Sequence, residues 1–354
     1  MTMQTSNATP AHAKNPTTPA GLDARLAAAG AIVFGLGMTA LIALTDVNLA
    51  RFVTPAVKTN PFDYIWRLSE PTAFTRAVVW LSYLAHQLVS WGVIWHAQRA
   101  RTRYTRALHP VNLCALAANG LFVFWHWVQT QWTYDGLAQD VSVLTSQGSV
   151  VILLIIVLAM ETPRRGLFFG KRVPFRADFI QFLKKYHGYF FSWALVYTFW
   201  YHPAVSTQGH LVGFMYMFIL LIQSSLFFTT LHVDRRWTFA LEFLVLPHGV
   251  LVALQQGNNL WPMFFNGFLG IFFVTQLHGL GLSARAKSAL AALWVVSNLA
   301  IFLTLPDYLA TLPRVLLAIP LIDYVGVFLL YGIFLLVGGV TRRLKGAEGA
   351  PVKI

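Results

Sequence analysis

The sequence predicts an all-α, polytopic integral membrane bundle of about ten transmembrane helices with both termini in the cytoplasm, and three observations predict it. Of the 354 residues, 56% are hydrophobic and only 11% are charged, whereas soluble domains carry roughly a quarter charged residues. Apolar runs of about 20 residues, enough to cross a hydrocarbon core of about 30 Å as helix, recur from residue 26 almost to the C-terminus. The basic residues behind the net charge of +13 sit in alternate connections, so that with the N-terminus inside roughly 21 of the 26 Lys and Arg fall on the cytoplasmic side. The positive charge therefore reports orientation and gives no reason to expect nucleic acid as a partner.

In chain order, residues 1–22 are rich in Thr, Ala, Pro and Asn without an apolar period and read as a disordered cytoplasmic tail holding His12. The run from Ala27 to Leu44 is long enough to span and lacks a small-x-small cleavage pattern, so it is expected to be the first helix and not a removable signal. Spans are expected at residues 26–45, 76–96, 109–131, 147–161, 187–204, 209–231, 238–256, 261–281, 288–305 and 314–340, forming one bundle over 23–341 with a cytoplasmic tail at 342–354. The connection from Asp46 to Glu70 contains Tyr64, Ile65, Trp66 and Leu68 and is expected to lie on the outer surface. The loop carrying Asp135 and Asp140 has no basic residue, as an external loop should.

Two inner loops supply much of the positive charge. The first holds Arg99, Arg101, Arg103 and Arg106; the second, over 163–186, holds Arg164, Arg165, Lys171, Arg172, Arg176, Lys184 and Lys185. In the second, Phe175, Phe179, Phe182 and Leu183 alternate with basic residues, the pattern of a helix lying in the headgroup layer, and anionic lipid headgroups are its expected partner. The single cysteine, Cys114, lies in an apolar run and is expected to be buried; it rules out an intramolecular disulfide and a Cys-based zinc site. No internal repeat is visible, which weakens transporter readings built on inverted halves.

Ionisable and amide side chains inside spans are expensive and so are functional candidates by default. His187 and His202 share one expected helix, 15 residues or about 22 Å apart, the spacing of a helix that feeds one ligand to each of two stacked haems b. No second helix offers the matching pair: His210 and His232 are about 33 Å apart, and His109 and His126 about 26 Å. A single haem b or one metal ion is left as the cofactor expectation, with His126, His187, His232 and His278 as candidate ligands. Histidine boxes of a di-iron enzyme, an HExxH motif, a GxSxG elbow and a lysine within a span are all absent.

The stretch from Thr238 to Gly281 is the second informative one, with polar groups spread over two consecutive expected spans. His248, Val252 and Gln255 follow i, i+4, i+7 spacing and are expected to share one face, next to a kink at Pro247. The expected site is a polar pocket in the fifth to eighth spans. His202, His210, Gln255, Gln256, Asn258 and Asn259 would line its outer mouth, and His248, Gln223 and Asn266 its middle. Glu242 is expected to pair with Arg235 or Arg236, and Asp323 is the best candidate for a proton-carrying carboxylate. His248, His202, His210, Asp323 and Glu242 are thus the catalytic candidates. Gln223, Gln255, Gln256, Asn258, Asn259 and Asn266 are the substrate-binding ones.

Three functions compete at this point. The first is a membrane-embedded enzyme acting through histidines on a lipid-soluble substrate such as a lipid or quinone. The second is a proton-coupled transporter with a midplane polar site, and the third is a non-catalytic scaffold or assembly factor whose polar groups are adhesive. Ala- and Leu-rich helices with short loops favour a bacterial inner membrane.

Overall fold

The computed structural model describes residues 21–55, 63–99, 103–256, 260–304 and 308–348. Ten α-helices appear among them: α1 (Ala24–Thr45), α2 (Ala73–Arg99), α3 (Pro110–Thr133), α4 (Val143–Arg165), α5 (Ala177–Tyr201), α6 (Gln208–Ser225), α7 (Arg235–Gln256), α8 (Trp261–Val274), α9 (Ala284–Thr304) and α10 (Tyr308–Glu348). Seven of them, α1, α2, α3, α4, α7, α9 and α10, are long and apolar enough to cross a membrane, and the chain is a multi-pass membrane protein. The end of the bundle that holds the start of α1 is called the near end, and the opposite one the far end.

The three helices outside that set have a physical reason to be there. α5 and α6 lie inside, with α6 packed on α1, α3, α5 and α7, and α5 packed on α2, α4 and α6. Packed among these neighbours, they carry polar residues such as Gln181, His187, Gln208, His210 and Gln223. Trp200, Tyr201 and Phe199 of α5 and Phe214 of α6 are fully buried and form the centre of the largest apolar cluster with Met38 and Ile42 of α1. α8 is the third, and its 14 residues rise about 21 Å before the chain turns into a short 3-10 segment, Gln276–Gly279. The expected span at 261–281 is therefore a half-length helix packed between α7 and α10.

α4, α5, α6, α7, α8 and α10 each touch the next, and α10 closes back on α4. At the near end, residues 22–24, 105–108 and 228–230 are laced together by backbone hydrogen bonds such as Thr105 N to Phe228 O (3.0 Å) and Thr230 N to Thr105 O (2.8 Å). α9 stands apart, with no buried residue among those described. It is held by the Trp294 indole, which donates to Asn266 Oδ1 (2.9 Å) and stacks on Phe273.

Several expectations are corrected here. Residues 177–186 do not make a separate helix; they are the first turns of α5, with Phe179, Ile180 and Leu183 buried and Phe179 packed against Tyr331 and Phe334 of α10. α10 runs on to Glu348, so helix replaces the first part of the expected tail at 342–354. Cys114 is exposed on the outer face of α3. The connection after α1 is only partly a surface segment: Leu49 and Leu68 are buried with Tyr134 and Val205 over the far end of the bundle. His12, Arg101, Asn258 and Asn259 lie outside the described residues.

Candidate functional site

At the far end, α5 must stop at His202 because Pro203 follows, and the residue before a proline is driven to extended backbone, here φ −99° and ψ 137°. Four residues on, Thr207 caps α6 by accepting from His210 N (3.3 Å), and its hydroxyl also meets His210 Nδ1 at 2.7 Å. These two local rules place His202 and His210 side by side, their ring centroids 5.2 Å apart. Between them the connection after α1 inserts Tyr64. Its hydroxyl lies 2.8 Å from His202 Nδ1 and 2.7 Å from His210 Nε2. Trp66 covers the edge of His210, and Tyr201 that of Tyr64. Burial, with Tyr134 and Tyr201 nearby, holds the Tyr64 hydroxyl well above the usual tyrosine range, so it stays a phenol and can donate.

A phenol has one proton and each neutral imidazole one N–H, so the hydrogens can be arranged in only two consistent ways. In one, Thr207 donates to His210, His210 to Tyr64 and Tyr64 to His202; in the other every bond is reversed. The four groups form a relay whose direction flips when a proton enters at one end and leaves at the other.

His248 adjoins this relay from α7. Gly209 and Gly213 of α6 let α7 approach closely: a Cβ at Gly213 would lie 2.8 Å from His248 Cε1, and Gly209 faces Gln255 and Val252. The expected shared face of His248, Val252 and Gln255 is therefore the one that packs on α6. His248 interacts electrostatically with both His202 and His210. Its Nδ1 is buried and has no hydrogen-bond partner among the described residues. Gln255 Oε1 accepts from Gly209 N (2.9 Å), which ties the mouth of the cluster to α6.

Other candidates are directed elsewhere. Gln223 sits at the near end of α6, donating to His232 O (3.1 Å) and accepting from the Trp237 indole (2.6 Å). Asn266 donates to Pro262 O in its own helix and accepts from Trp294, so it faces α9 and not His248. Glu242 pairs with Arg165 of α4, Nη1 to Oε2 at 2.5 Å, in place of Arg235 or Arg236. Asp323 is buried in α10. Gln256 belongs to the last turn of α7. Comparisons with family models, curated proteins and solved structures gave no match. The function of the site is therefore argued from its geometry.

The four candidate metal ligands do not meet. His126 bonds His202 O at the far end through Nε2 (2.9 Å). His278 lies against Gly170 and Phe169. His187 and His232 approach at the near end, with ring centroids 6.2 Å apart and each Nδ1 near a backbone carbonyl. Among the described residues no three His, Cys, Asp or Glu side chains form a group able to hold a metal ion.

One polar line is not singled out from the sequence as a line, although its member His126 is. Asn112, Asn119, His126 and Thr133 recur every seven residues along α3, a spacing that drifts only about 20° per repeat on a helix and so marks one face. Asn112 Nδ2 donates to Ser225 O and Phe227 O (both 2.8 Å), and Asn119 links Ser225 Oγ (2.9 Å) to His86 Nε2 (2.9 Å). The Trp200 indole completes His86 by donating to Nδ1 (3.2 Å). Amides and an indole donate without passing protons on, so this line is adhesive that fixes α2, α3, α5 and α6 behind the relay.

The relay is also clamped from the loop after α3. Asp135 accepts from Thr75 Oγ1 and Gly136 N (both 3.0 Å), and a Cβ at Gly136 would meet Tyr201 O at 2.6 Å, so this turn presses on the end of α5. Burial, against the opposing effect of those two hydrogen bonds, raises the Asp135 carboxyl from 3.8 to about 6. The folded state then binds the proton more tightly than the unfolded one. Stability contributed by this group is full below about pH 4 and is lost as pH rises to about 6. Unfolding midpoints of detergent-solubilised protein across that range should fall less steeply in Asp135→Asn; an unchanged slope would remove Asp135 as the cause.

Proposed function

We propose that the protein is a membrane-embedded enzyme of the bacterial inner membrane, its near end in the cytoplasm, that carries out acid–base chemistry on a lipid-soluble substrate such as a lipid or quinone. The observation that carries this reading is a buried histidine nitrogen without a partner, His248 Nδ1, set beside the hydrogen-bonded series His202–Tyr64–His210–Thr207. His86 in the same bundle, by contrast, bonds both of its nitrogens. His248 Nδ1 is left for something else. It takes or gives the substrate proton.

The membrane setting fits this chemistry. α6 and α7 bring His248 between helices, so a substrate partitioned in the bilayer can approach laterally. The basic near-end loops hold anionic headgroups and set orientation. The reading needs no metal or haem; of the four candidate metal ligands, His187 and His232 come nearest each other, with ring centroids 6.2 Å apart.

The test uses protein reconstituted in vesicles made from a bacterial lipid and quinone extract, with the extract profiled by mass spectrometry over time. Wild type should convert at least one lipid-soluble species, and His248→Ala should convert it about 10²-fold more slowly, the low end for losing an acid–base group. Equal conversion by His248→Ala, or no conversion by wild type in any extract, overturns the reading.

A further inference from the structure

A second unused polar group lies far from the histidine relay. Asp323 of α10 is 1% exposed, and neither carboxyl oxygen has a hydrogen-bond partner among the described residues. Its surroundings are set by its own stripe. Ile319, Asp323 and Val327 are four residues apart and share one face of α10. Ile319 packs on Gly267 of α8, where a Cβ would come within 2.6 Å of Ile319 Cβ. Val327 is fully buried with Leu158 and Ala159 of α4 and Ile271 of α8. Asp323 therefore interrupts an apolar seam where three helices meet.

The adhesive explanation that accounts for Asn112, Asn119 and Gln223 does not account for Asp323, because adhesion requires bonds and it makes none among the described residues. Nor do charged neighbours explain it. The described part of α8 has no titratable residue. On α4, Glu161 and Arg164 pair with each other; Arg165 gives Nη1 to Glu242 of α7, and its Nε and Nη2, though without a hydrogen-bond partner among the described residues, make no ion pair with Asp323. Tyr324, next in α10, turns its hydroxyl to Thr275 (2.7 Å). An ionised carboxylate without a partner is not tolerated in such a seam, and a protonated one is.

We infer that Asp323 is a proton-binding site, separate from the histidine relay, at which the bundle takes up and releases a proton within the α4–α8–α10 contact. The ligand is a proton and not a larger cation because the seam has no space for one. The glycines at 267 and 270 bring α8 so close that a Cβ at Gly270 would lie 3.2 Å from Pro320 Cγ. A metal ion needs several oxygen ligands, and the two Asp323 oxygens are the only buried side-chain oxygens there without a partner among the described residues. The site gives the protein a proton-coupled step whatever the chemistry at His248, so the two proposals stand or fall separately.

The experiment treats full-length protein in vesicles with dicyclohexylcarbodiimide, an apolar reagent that attacks protonated carboxyls, and maps the adduct by peptide mass spectrometry. Asp323 should be labelled in preference to Glu242, and labelling should fall at least tenfold as pH is raised until the site empties. The infrared difference spectrum of wild type minus Asp323→Asn, which cancels Asp135 and the other carboxyls, should show the carbonyl band of a protonated carboxylic acid, and Asp323→Glu should restore that band. Absence of the Asp323 adduct from wild type at low pH overturns the inference. Protection by sodium ion at fixed pH, which would mean that a metal cation occupies the site, also overturns it. The adduct is measured on wild type, so it remains decisive even if Asp323→Asn fails to fold.

Discussion

Replacing Arg165 by Met is expected to destabilise the bundle by about 3–5 kcal/mol, the effect of stranding one member of a buried ion pair. The Arg165 side chain is only 3% exposed and that of Glu242 14%. With the guanidinium gone, the Glu242 carboxylate is left beside the apolar crevice formed by Leu154, Phe243, Leu246 and Phe268. The double variant Arg165→Met with Glu242→Leu should recover most of the loss, because burying two apolar side chains of similar size avoids desolvating either charge. Denaturant unfolding in detergent measures both. A loss below about 1 kcal/mol for the single variant is the behaviour of a solvated surface pair and would show that water reaches Glu242. The pair joins α4 to α7, helices otherwise connected through α5 and α6 or through α8 and α10, so its rupture loosens the near end of the ring.

How far the sequence could lead to these sites depended on the range of the interactions. The membrane bundle is legible because apolar length is summed along the chain. α5 and α6 are legible as helices, although they are not among the seven long and apolar enough to cross a membrane. The shared face of His248, Val252 and Gln255 is legible too, since helix periodicity is local. The partner of that face is not. It is the Gly209–Gly213 pair of α6, which reads in the sequence only as two glycines four apart. Tyr64 is less legible still. It sits in a long connection among other aromatic residues, and its bridge between His202 and His210 exists only once Pro203 has ended α5 and Thr207 has started α6. Glu242 shows the opposite error. Sequence proximity favours Arg235 and Arg236, whereas the buried partner is 77 residues away on α4. The seven-residue period of Asn112, Asn119, His126 and Thr133 is local and so legible in principle, but it is a period of polar residues, and the apolar periods that mark spans do not show it.

The glycine pair gives a sharper test of the proposed chemistry than removing His248, because it removes no candidate side chain. Gly213→Ala and Gly209→Ala each gain about 0.8–1.0 kcal/mol of helix propensity, so that effect cancels between them. They differ in what the new methyl meets. At Gly213 it would be 2.8 Å from His248 Cε1 and 3.5 Å from both ring nitrogens, atoms of a rigid ring packed against Tyr216, so the ring must move. At Gly209 it meets the end of the Gln255 side chain, which can swing away at the loss of one hydrogen bond, about 0.5–1.5 kcal/mol. If His248 is the proton-transfer group, a displacement of about 1 Å lowers turnover about 10²-fold in Gly213→Ala, while Gly209→Ala stays close to wild type. Both variants should unfold within about 3 kcal/mol of wild type, the upper range for one added methyl group in a packed contact. Equal turnover in the two variants would mean that the position of His248 does not matter, and its bare nitrogen would then have to be explained by packing alone.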